Sequence, residues 1–355
     1  MVNSRIKRKK QRRKRLKKKA LLLAFLTVML FAVVVVYQFD SGRKESLQQI
    51  SSANINGESK SNEDNETNEI EFNTDHIENE NEYINVLLVG VDAEEGNQAR
   101  TDTIMVAQYH PKEGIAKLVS IMRDTYVSIP GYRDNKINSS FFFGGPELLR
   151  KTIKENFNID VEYYAMVNFD GFVQVVDTIA PSGIDIDIAN RMYYHDPYAD
   201  LTIDFQPGEQ TLDGQETLNY VRFRSDSEND FGRVRRQQEV LDLLKDELLS
   251  FSGITRIPKL VGTIDPYVDT NIQGSKILSL GRDFFLNPIE EVETLTIPID
   301  GGYVDDRVAH AGAILKPDLE KNKQALDDFF SIEDDTLSAV NDQEREKEKD
   351  TEDNT

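Results

Sequence analysis

Residues 84–122 read INVLLVGVDAEEGNQARTDTIMVAQYHPKEGIAKLVSIM. INVLLVGV (84–91) is a short, almost wholly apolar run, the pattern of a strand buried on both faces. DTIMVAQYH (102–110) and IAKLVSIM (115–122) have the same character, and the tight turn PKEG between them predicts a β-hairpin. Further on, GPELLRKTIKENF (145–157) spaces Leu148, Leu149, Ile153 and Phe157 as a helix does, EYYAMVNF (162–169) returns as a strand, and GFVQVVDTI (171–179) reads as a short helix. IDIDI (184–188) alternates as a strand with one wet face, and Tyr220–Arg224 alternates too. RVRRQQEVLDLLKDELLS (233–250) is an amphipathic helix whose apolar face is Val240, Leu241, Leu244 and Leu248. Two more helices and the strand VETLTIPI (292–299) complete the pattern. Strands interleaved with helices predict an α/β fold, a mixed central β-sheet sandwiched between helices.

Charge divides the 355 residues into unlike parts. Residues 1–19 hold twelve Lys and Arg and no acid, whereas the whole chain carries a net charge of -21. Residues 20–39 (ALLLAFLTVMLFAVVVVYQF) contain no charge, and twenty helical residues reach across the ~30 Å hydrocarbon core of a bilayer. The reading is therefore an uncleaved transmembrane anchor at 20–39, with a basic cytoplasmic tail at 1–19 and everything after it outside the cell membrane. The basic tail has a nucleic-acid reading as well, but a tail abutting a membrane span is explained by topology and by anionic lipid, so no nucleic-acid partner is expected. Residues 40–82 and 332–355 are rich in Ser, Asn, Glu and Asp, poor in apolar residues, and expected to be a disordered extracellular linker and a disordered acidic tail. That leaves 83–331 as the folded domain. The chain has no Cys, which excludes a disulfide framework, a thiolate zinc site and a Cys nucleophile.

Three segments carry candidate chemistry. In YVRFRSDSENDFGRVRRQQ (220–238), five arginines fall within fifteen residues of an acidic protein. Arg222 and Arg224 share one face if the segment is a strand, while Arg233, Arg236 and Gln237 share one side of the following helix. Guanidinium forks near a helix N-terminus suit phosphate oxygens; the competing reading is a solvated ion-pair face using Asp226, Glu228, Asp230 and Glu239. In VDAEEGNQARTDT (91–103), Asp92 ends one strand and Asp102 opens the next, so two carboxylates reach one edge of the sheet with Arg100 between them in sequence. Two carboxylates together with substrate phosphates commonly hold Mg²⁺, although both are also ordinary turn residues. In SIMRDTYVSIPGYRDNKIN (120–138), Arg123 and Asp124 follow a strand and Lys136 closes a Gly/Pro loop. An ion pair and a turn account for these last residues equally well. Strand ends are where open α/β sheets bind ligands.

The order GVD…R-x-DT, S-I-x-RD…IPG…KIN and L-x-G…YVRFR…D-FGR-x-RRQQ, from about Ile84 to Leu249, resembles the LytR-CpsA-Psr family of Gram-positive cell-wall enzymes. The resemblance implies a phosphotransferase that moves an anionic glycopolymer from a polyprenyl-pyrophosphate carrier to peptidoglycan through a phosphodiester bond. It implies that Asp92 and Asp102 are the carboxylates associated with Mg²⁺ (or Mn²⁺) and that Arg100, Arg123, Arg222, Arg224, Arg233 and Gln237 surround the pyrophosphate. Lys136 is assigned to the same anion, and Asp92, Asp102 and Arg123 are the candidate catalytic residues. Two positions depart from the family pattern: Met122 stands where proline is usual, and APSGI (180–184) replaces a GGV turn. A polyprenyl-pyrophosphate hydrolase and a non-enzymatic cell-envelope or transcriptional regulator remain as alternatives. The lipid tail needs an apolar groove, for which Phe172, Val173 and Val176 are conceivable walls, though ordinary core packing explains that spacing too.

Overall fold

In the computed structural model, which describes residues 37–48, 50, 72–74, 83–92, 100–196, 201–226, 229–289 and 291–331, the stretch quoted above forms three adjacent strands. They are β1 (Ile84–Asp92), β2 (Arg100–His110) and β3 (Ile115–Ile121). With β6 (Tyr163–Asn168), β11 (Val268–Thr270) and β12 (Val292–Ile297) they make a six-stranded sheet in the order β11-β6-β1-β2-β3-β12. β2 is antiparallel to β1 and β3, whereas β6 runs parallel to β1 and β12 parallel to β3. The sheet is thus mixed, as its sequence predicts. The C-terminal ends of β1, β3, β6 and β12 meet the start of β2 at one end of the sheet.

Leu87, Val89, Ile104, Val106, Val119 and Ile121 fill the core on which α2 (Asn138–Phe157) lays Leu149, Ile153 and Phe157. The helical run begins seven residues before the expected 145, but it is broken where Gly145 takes φ 61, a left-handed conformation that favours glycine. Pro146 then starts the second piece, a position that suits its fixed φ and missing N–H. Two short strands, β4 (Tyr126–Val127) and β5 (Asn135–Lys136), precede α2, and the hairpin β13 (Tyr303–Val308) and β14 (Gly312–Pro317) precedes α8 (Leu319–Phe330). The buried Lys117 ammonium lies 2.6 Å from the Phe329 carbonyl and 2.9 Å from that of Ser331, where a cation complements the end of α8.

By internal contacts the chain divides into two units. The sheet belongs mainly to the unit of 66–169, 224–238 and 269–355; the other comprises 1–65, 170–223 and 239–268. The latter holds most of α3 (Phe169–Ile179), β7 (Ile184–Ile188) paired with β10 (Gly208–Leu212), the hairpin β8 (Met192–Asp196) and β9 (Leu201–Phe205), α4 (Gly214–Arg222) and α6 (Phe251–Ile264). β7 alternates buried and exposed residues as its sequence predicts. The APSGI departure falls on the turn into β7, where Gly183 takes φ 87. Val176 is fully buried, as core packing requires.

Three expectations need correction. Tyr220–Arg224 is not a strand: Tyr220, Val221 and Arg222 end α4, and only Phe223 and Arg224 leave it. The deciding signal is upstream, where Asp213 and Glu216 form a capping box, worth roughly 1 kcal/mol to a helix start. Gly214 is needed there as well, since a Cβ would meet the Val173 carbonyl at 2.6 Å.

The linker assignment fails at its start. Residues 37–48 form helix α1, and the fully buried Ser46 places Oγ 2.8 Å from the Thr263 carbonyl of α6. Arg43–Asp265 at 3.0 Å and Lys259–Glu45 at 2.8 Å flank that contact. Polar composition hid a helix whose contacts are side chains bonding a neighbouring helix. Phe72 is also placed, its ring 4.8 Å from that of Tyr164. Third, Leu241 is 37% exposed, while Val240 and Leu244 of the same helix, α5 (Asn229–Leu249), are buried. The expected basic tail at 1–19, residues 20–36 of the expected anchor, most of 51–82 and the expected acidic tail at 332–355 lie outside the described residues. No helix among the described residues is long and apolar enough to cross a membrane.

Candidate active site

The register between β1 and β2 shifts at Gly90/Val91: Gly90 pairs with Thr103 and Val91 with Thr101, so Asp102 is stepped over. Such a bulge inserts an extra residue and re-aims a side chain. The buried Thr101 hydroxyl closes it, 2.9 Å from the Gly90 carbonyl and 2.8 Å from that of Thr103. Gly90 permits the approach, since a Cβ there would lie 3.0 Å from the Thr103 Cβ. Asp92 pairs with Arg100 in the same register, so the backbone brings both to the end of the sheet that carries Asp102.

Arg123 and Asp124 sit in a turn closed by the Thr125 amide donating to the Met122 carbonyl at 3.0 Å. Met122 is buried against Val234 of α5 and Leu315 of β14, so the departure from proline is an interior apolar substitution that ties this turn to α5. Arg123 Nη1 donates to Asp102, and Arg123 Nε lies 3.2 Å from Asp230 in the first turn of α5. The other oxygen of Asp230 is 3.5 Å from Arg233 Nη1 and 4.0 Å from Arg224 Nη1. Lys136 Nζ binds Asp124 at 2.8 Å. All these residues belong to the sheet unit.

The electrostatics follow from the placement. Burial pushes the Asp102 carboxyl upward, but Arg123, Arg233 and Arg224 outweigh it and hold Asp102 below the usual carboxylate range. Burial alone would lower Arg123; Asp102, Asp230 and Asp124 instead raise it. Arg233 goes the other way: burial and the neighbouring Arg123 and Arg224 lower it, with Asp230 and Asp102 opposing. Its side chain is 3% exposed, and its Nε has no hydrogen-bond partner among the described residues. A buried guanidinium donor beside three other cations and three carboxylates is a place where an anion's oxygens gain hydrogen bonds.

The structure therefore brings together Asp102, Arg123, Lys136, Arg224 and Arg233. Gln237 joins them differently from its assignment: its Nε2 donates to Thr103 Oγ1 at 3.0 Å, bracing β2 next to Asp102. Arg236, expected beside Arg233, pairs with Asp226 at 2.6 Å. Arg222 ends α4 in the other unit, so the shared strand face proposed for Arg222 and Arg224 does not exist. The roles given to Arg222 and to the side chains of Asp92 and Arg100 rest on the motif alone. Asp230 reads in the sequence as a surface counter-ion, and the one sign of more is its position three residues before Arg233 at a helix start.

Among the described residues no group of three or more metal-type side chains forms a closed cage. Magnesium does not require one, since it keeps several waters and takes one or two carboxylates plus substrate phosphates. A partly exposed carboxylate held ionised by neighbouring guanidinium groups, as at Asp102, fits that chemistry.

Comparison with known proteins gives one answer. The model of the LytR_cpsA_psr family matches residues 47–328. The regulatory protein MsrR of Staphylococcus aureus (strain COL) is 42% identical over 247 residues, 70% of this chain and 74% of that protein. The polyisoprenyl-teichoic acid–peptidoglycan teichoic acid transferase TagU of Oceanobacillus iheyensis is 34% identical over 208 residues, 57% of this chain and 62% of its own length. The crystal structure of B. subtilis TagV, 29% identical, superposes with a TM-score of 0.57 over 70% of this chain and 96% of that one. TagT bound to LIIa-WTA, 27% identical, gives 0.57 over 74% and 97%. On the family match and these relatives, this chain belongs to the LytR_cpsA_psr family.

Proposed function

We propose that the protein is a membrane-anchored phosphotransferase that moves an anionic glycopolymer from a polyprenyl-pyrophosphate carrier to peptidoglycan, with residues 20–39 as the anchor and the active site outside the membrane. The observation that carries the reading is the chain of charges Asp102–Arg123–Asp230–Arg233 at the bulged end of the sheet, reinforced by Arg224 and Lys136. TagU, named as a teichoic acid transferase, is the relative that supports the substrate class. The name of MsrR favours a regulator, but a regulator has no need of a half-exposed ionised carboxylate inside an arginine cluster.

A lipid diphosphate carries about two negative charges that repel an incoming hydroxyl oxygen. In this reading Arg123, Arg224 and Arg233 take the phosphate oxygens, lower that repulsion and hold the phosphoryl group in line, which is most of what phosphoryl-transfer catalysts do. A new O–P bond forms to the sugar hydroxyl, the P–O bond to the lipid phosphate breaks, and lipid phosphate leaves with the electron pair. Asp102 is a poor acceptor for the hydroxyl proton, because Arg123, Arg233 and Arg224 hold it below the usual carboxylate range. Its task is to anchor Arg123 and to offer its other oxygen to a cation, and the hydroxyl proton passes to solvent water. Bound Mg²⁺ or Mn²⁺, held by Asp92 and Asp102, supplies further neutralisation of the phosphate oxygens.

The test is product analysis with a polyprenyl-pyrophosphate glycopolymer and purified peptidoglycan. Phosphodiester-linked polymer is expected with acceptor present, and transfer is expected to fall at least about tenfold in EDTA and return with Mg²⁺ or Mn²⁺. Release of lipid phosphate at the same rate with and without acceptor, and no linked polymer, makes the protein a hydrolase. No release under either condition removes the enzymatic reading.

A further inference from the structure

We infer that Asp230 is a positioning residue of this site: its carboxylate aligns the guanidinium groups of Arg123, Arg224 and Arg233 while competing with the diphosphate for them. The inference rests on the phosphotransferase reading. One carboxylate meets arginines from three segments. Its Oδ2 is 3.2 Å from Arg123 Nε in the turn after β3. Its Oδ1 is 3.5 Å from Arg233 Nη1 on α5 and 4.0 Å from Arg224 Nη1 in the connection from α4.

The roles of the two carboxylates differ. Asp102 touches Arg123 from the strand side and is 39% exposed; Asp230 stands behind the cluster, only 18% exposed. Arg123 is thereby clamped at two nitrogens, which fixes the plane of its guanidinium. For Arg233, at 3% exposure, Asp230 supplies the counter-charge that a buried cation needs. The backbone is braced independently, by Gln237 on Thr103 and by Gln238, whose Nε2 lies 3.0 Å from Ser120 Oγ and 3.3 Å from Thr296 Oγ1. Asp230 can therefore be changed without removing the contacts that hold the first turns of α5 against the sheet.

A carboxylate in this position acts oppositely on affinity and on rate. Its negative charge cancels part of the positive field that attracts a diphosphate, so neutralising it favours anion binding. Its hydrogen bond to Arg123 Nε and its ion pairs with Arg233 and Arg224 set guanidinium geometry, and a misplacement of about 1 Å costs as much as about 10²-fold in rate. A role confined to folding moves stability and lowers both functions together.

The experiment compares wild type, D230N and D230E for binding of inorganic pyrophosphate by calorimetry and for release of lipid phosphate, with thermal unfolding recorded alongside. D230N is expected to bind pyrophosphate about 3- to 10-fold tighter and turn over about 10- to 100-fold more slowly. D230E keeps the charge but shifts it by one methylene, so its affinity is expected to stay within about twofold while turnover falls about tenfold. Should D230N fail to fold, D230E alone decides. Wild-type turnover in either variant, or parallel losses of affinity and rate in D230N, overturns the assignment. Failure of the wild-type protein to release lipid phosphate sinks the phosphotransferase reading itself, and this inference with it.

Discussion

At one end of β1 and β2 lie Asn85, Gln108, His110 and Glu162; at the other lie Asp102, Arg123, Asp230 and Arg233. Both ends are crowded with polar groups, yet they follow different rules. Asn85 and Gln108 are paired in register and buried, with Gln108 Nε2 donating to Asn85 Oδ1 at 3.2 Å. The Asn85 amide donates to Glu162 at 2.7 Å and its side-chain nitrogen to the Asp160 carbonyl at 2.7 Å. His110 closes the chain against Gln108 at 3.0 Å. The partners are amide, carbonyl and carboxyl groups bonding one another, and the backbone ladder there is regular. At the other end the ladder is bulged, like charges crowd together, and the buried Arg233 Nε is left over. Polar density is therefore no marker of a site. Crowded like charge beside a broken ladder is.

The contrast can be broken most sharply by Arg224→Ala. Arg224 is 45% exposed and 4.0 Å from its carboxylate, so its loss is expected to leave the fold intact while transfer falls about 10²- to 10³-fold, the usual cost of one charge-stabilising donor. A steady-state assay beside a thermal melt measures both, and wild-type transfer would remove Arg224 from the site. Asn85→Ala should do the reverse. It strands the Gln108 amide and the Asp160 carbonyl, lowering unfolding free energy by about 1–3 kcal/mol, with turnover unchanged at temperatures where the protein stays folded. Denaturant titration and the same assay check it, and a loss of turnover in the folded variant would mean that the two ends are coupled.

The smallest effect is expected from Glu162→Gln. Burial, opposed by the Asn85 amide and aided by Asp160, raises the Glu162 carboxyl above its ordinary value. A raised carboxyl pKa makes the ionised group a burden on the folded state, present above the folded pKa and relieved as pH falls towards the unfolded value. Wild type should therefore gain stability relative to Glu162→Gln as pH falls through that window. At neutral pH the two should differ by no more than about 1 kcal/mol. Parallel melting curves across the range would show that Glu162 is not strained by its burial.

Much of this was legible in the residues. The apolar runs of β1, β2 and β3 and the spacing of α2 and α3 follow from burial, which leaves a periodic trace. The gathering of Asp102, Arg123 and Arg233 follows too, because strand ends and a helix start lie on either side of them, whereas Arg224 reaches the cluster from a helix end and not from the expected strand. Arg222 was misplaced because V-R-F-R alternates on paper, while the helix that claims it is announced nine residues earlier by Asp213. α1 was missed for a related reason: Ser46, Arg43 and Glu45 make it by contacts with residues over two hundred positions away, which composition does not encode. The part played by Asp230 needed distances. An Asp three residues before an Arg on a helix looks the same whether it meets solvent or three guanidinium groups.

The skipped residue at Asp102 has a practical corollary. Since the Thr101 hydroxyl holds the bulge against the Gly90 and Thr103 carbonyls, the step in register at Asp102 is fixed by an uncharged group. The carboxylate of Asp102 thus owes its address to a neighbour that carries no charge, and Thr101→Val would loosen it while altering no charge of the cluster.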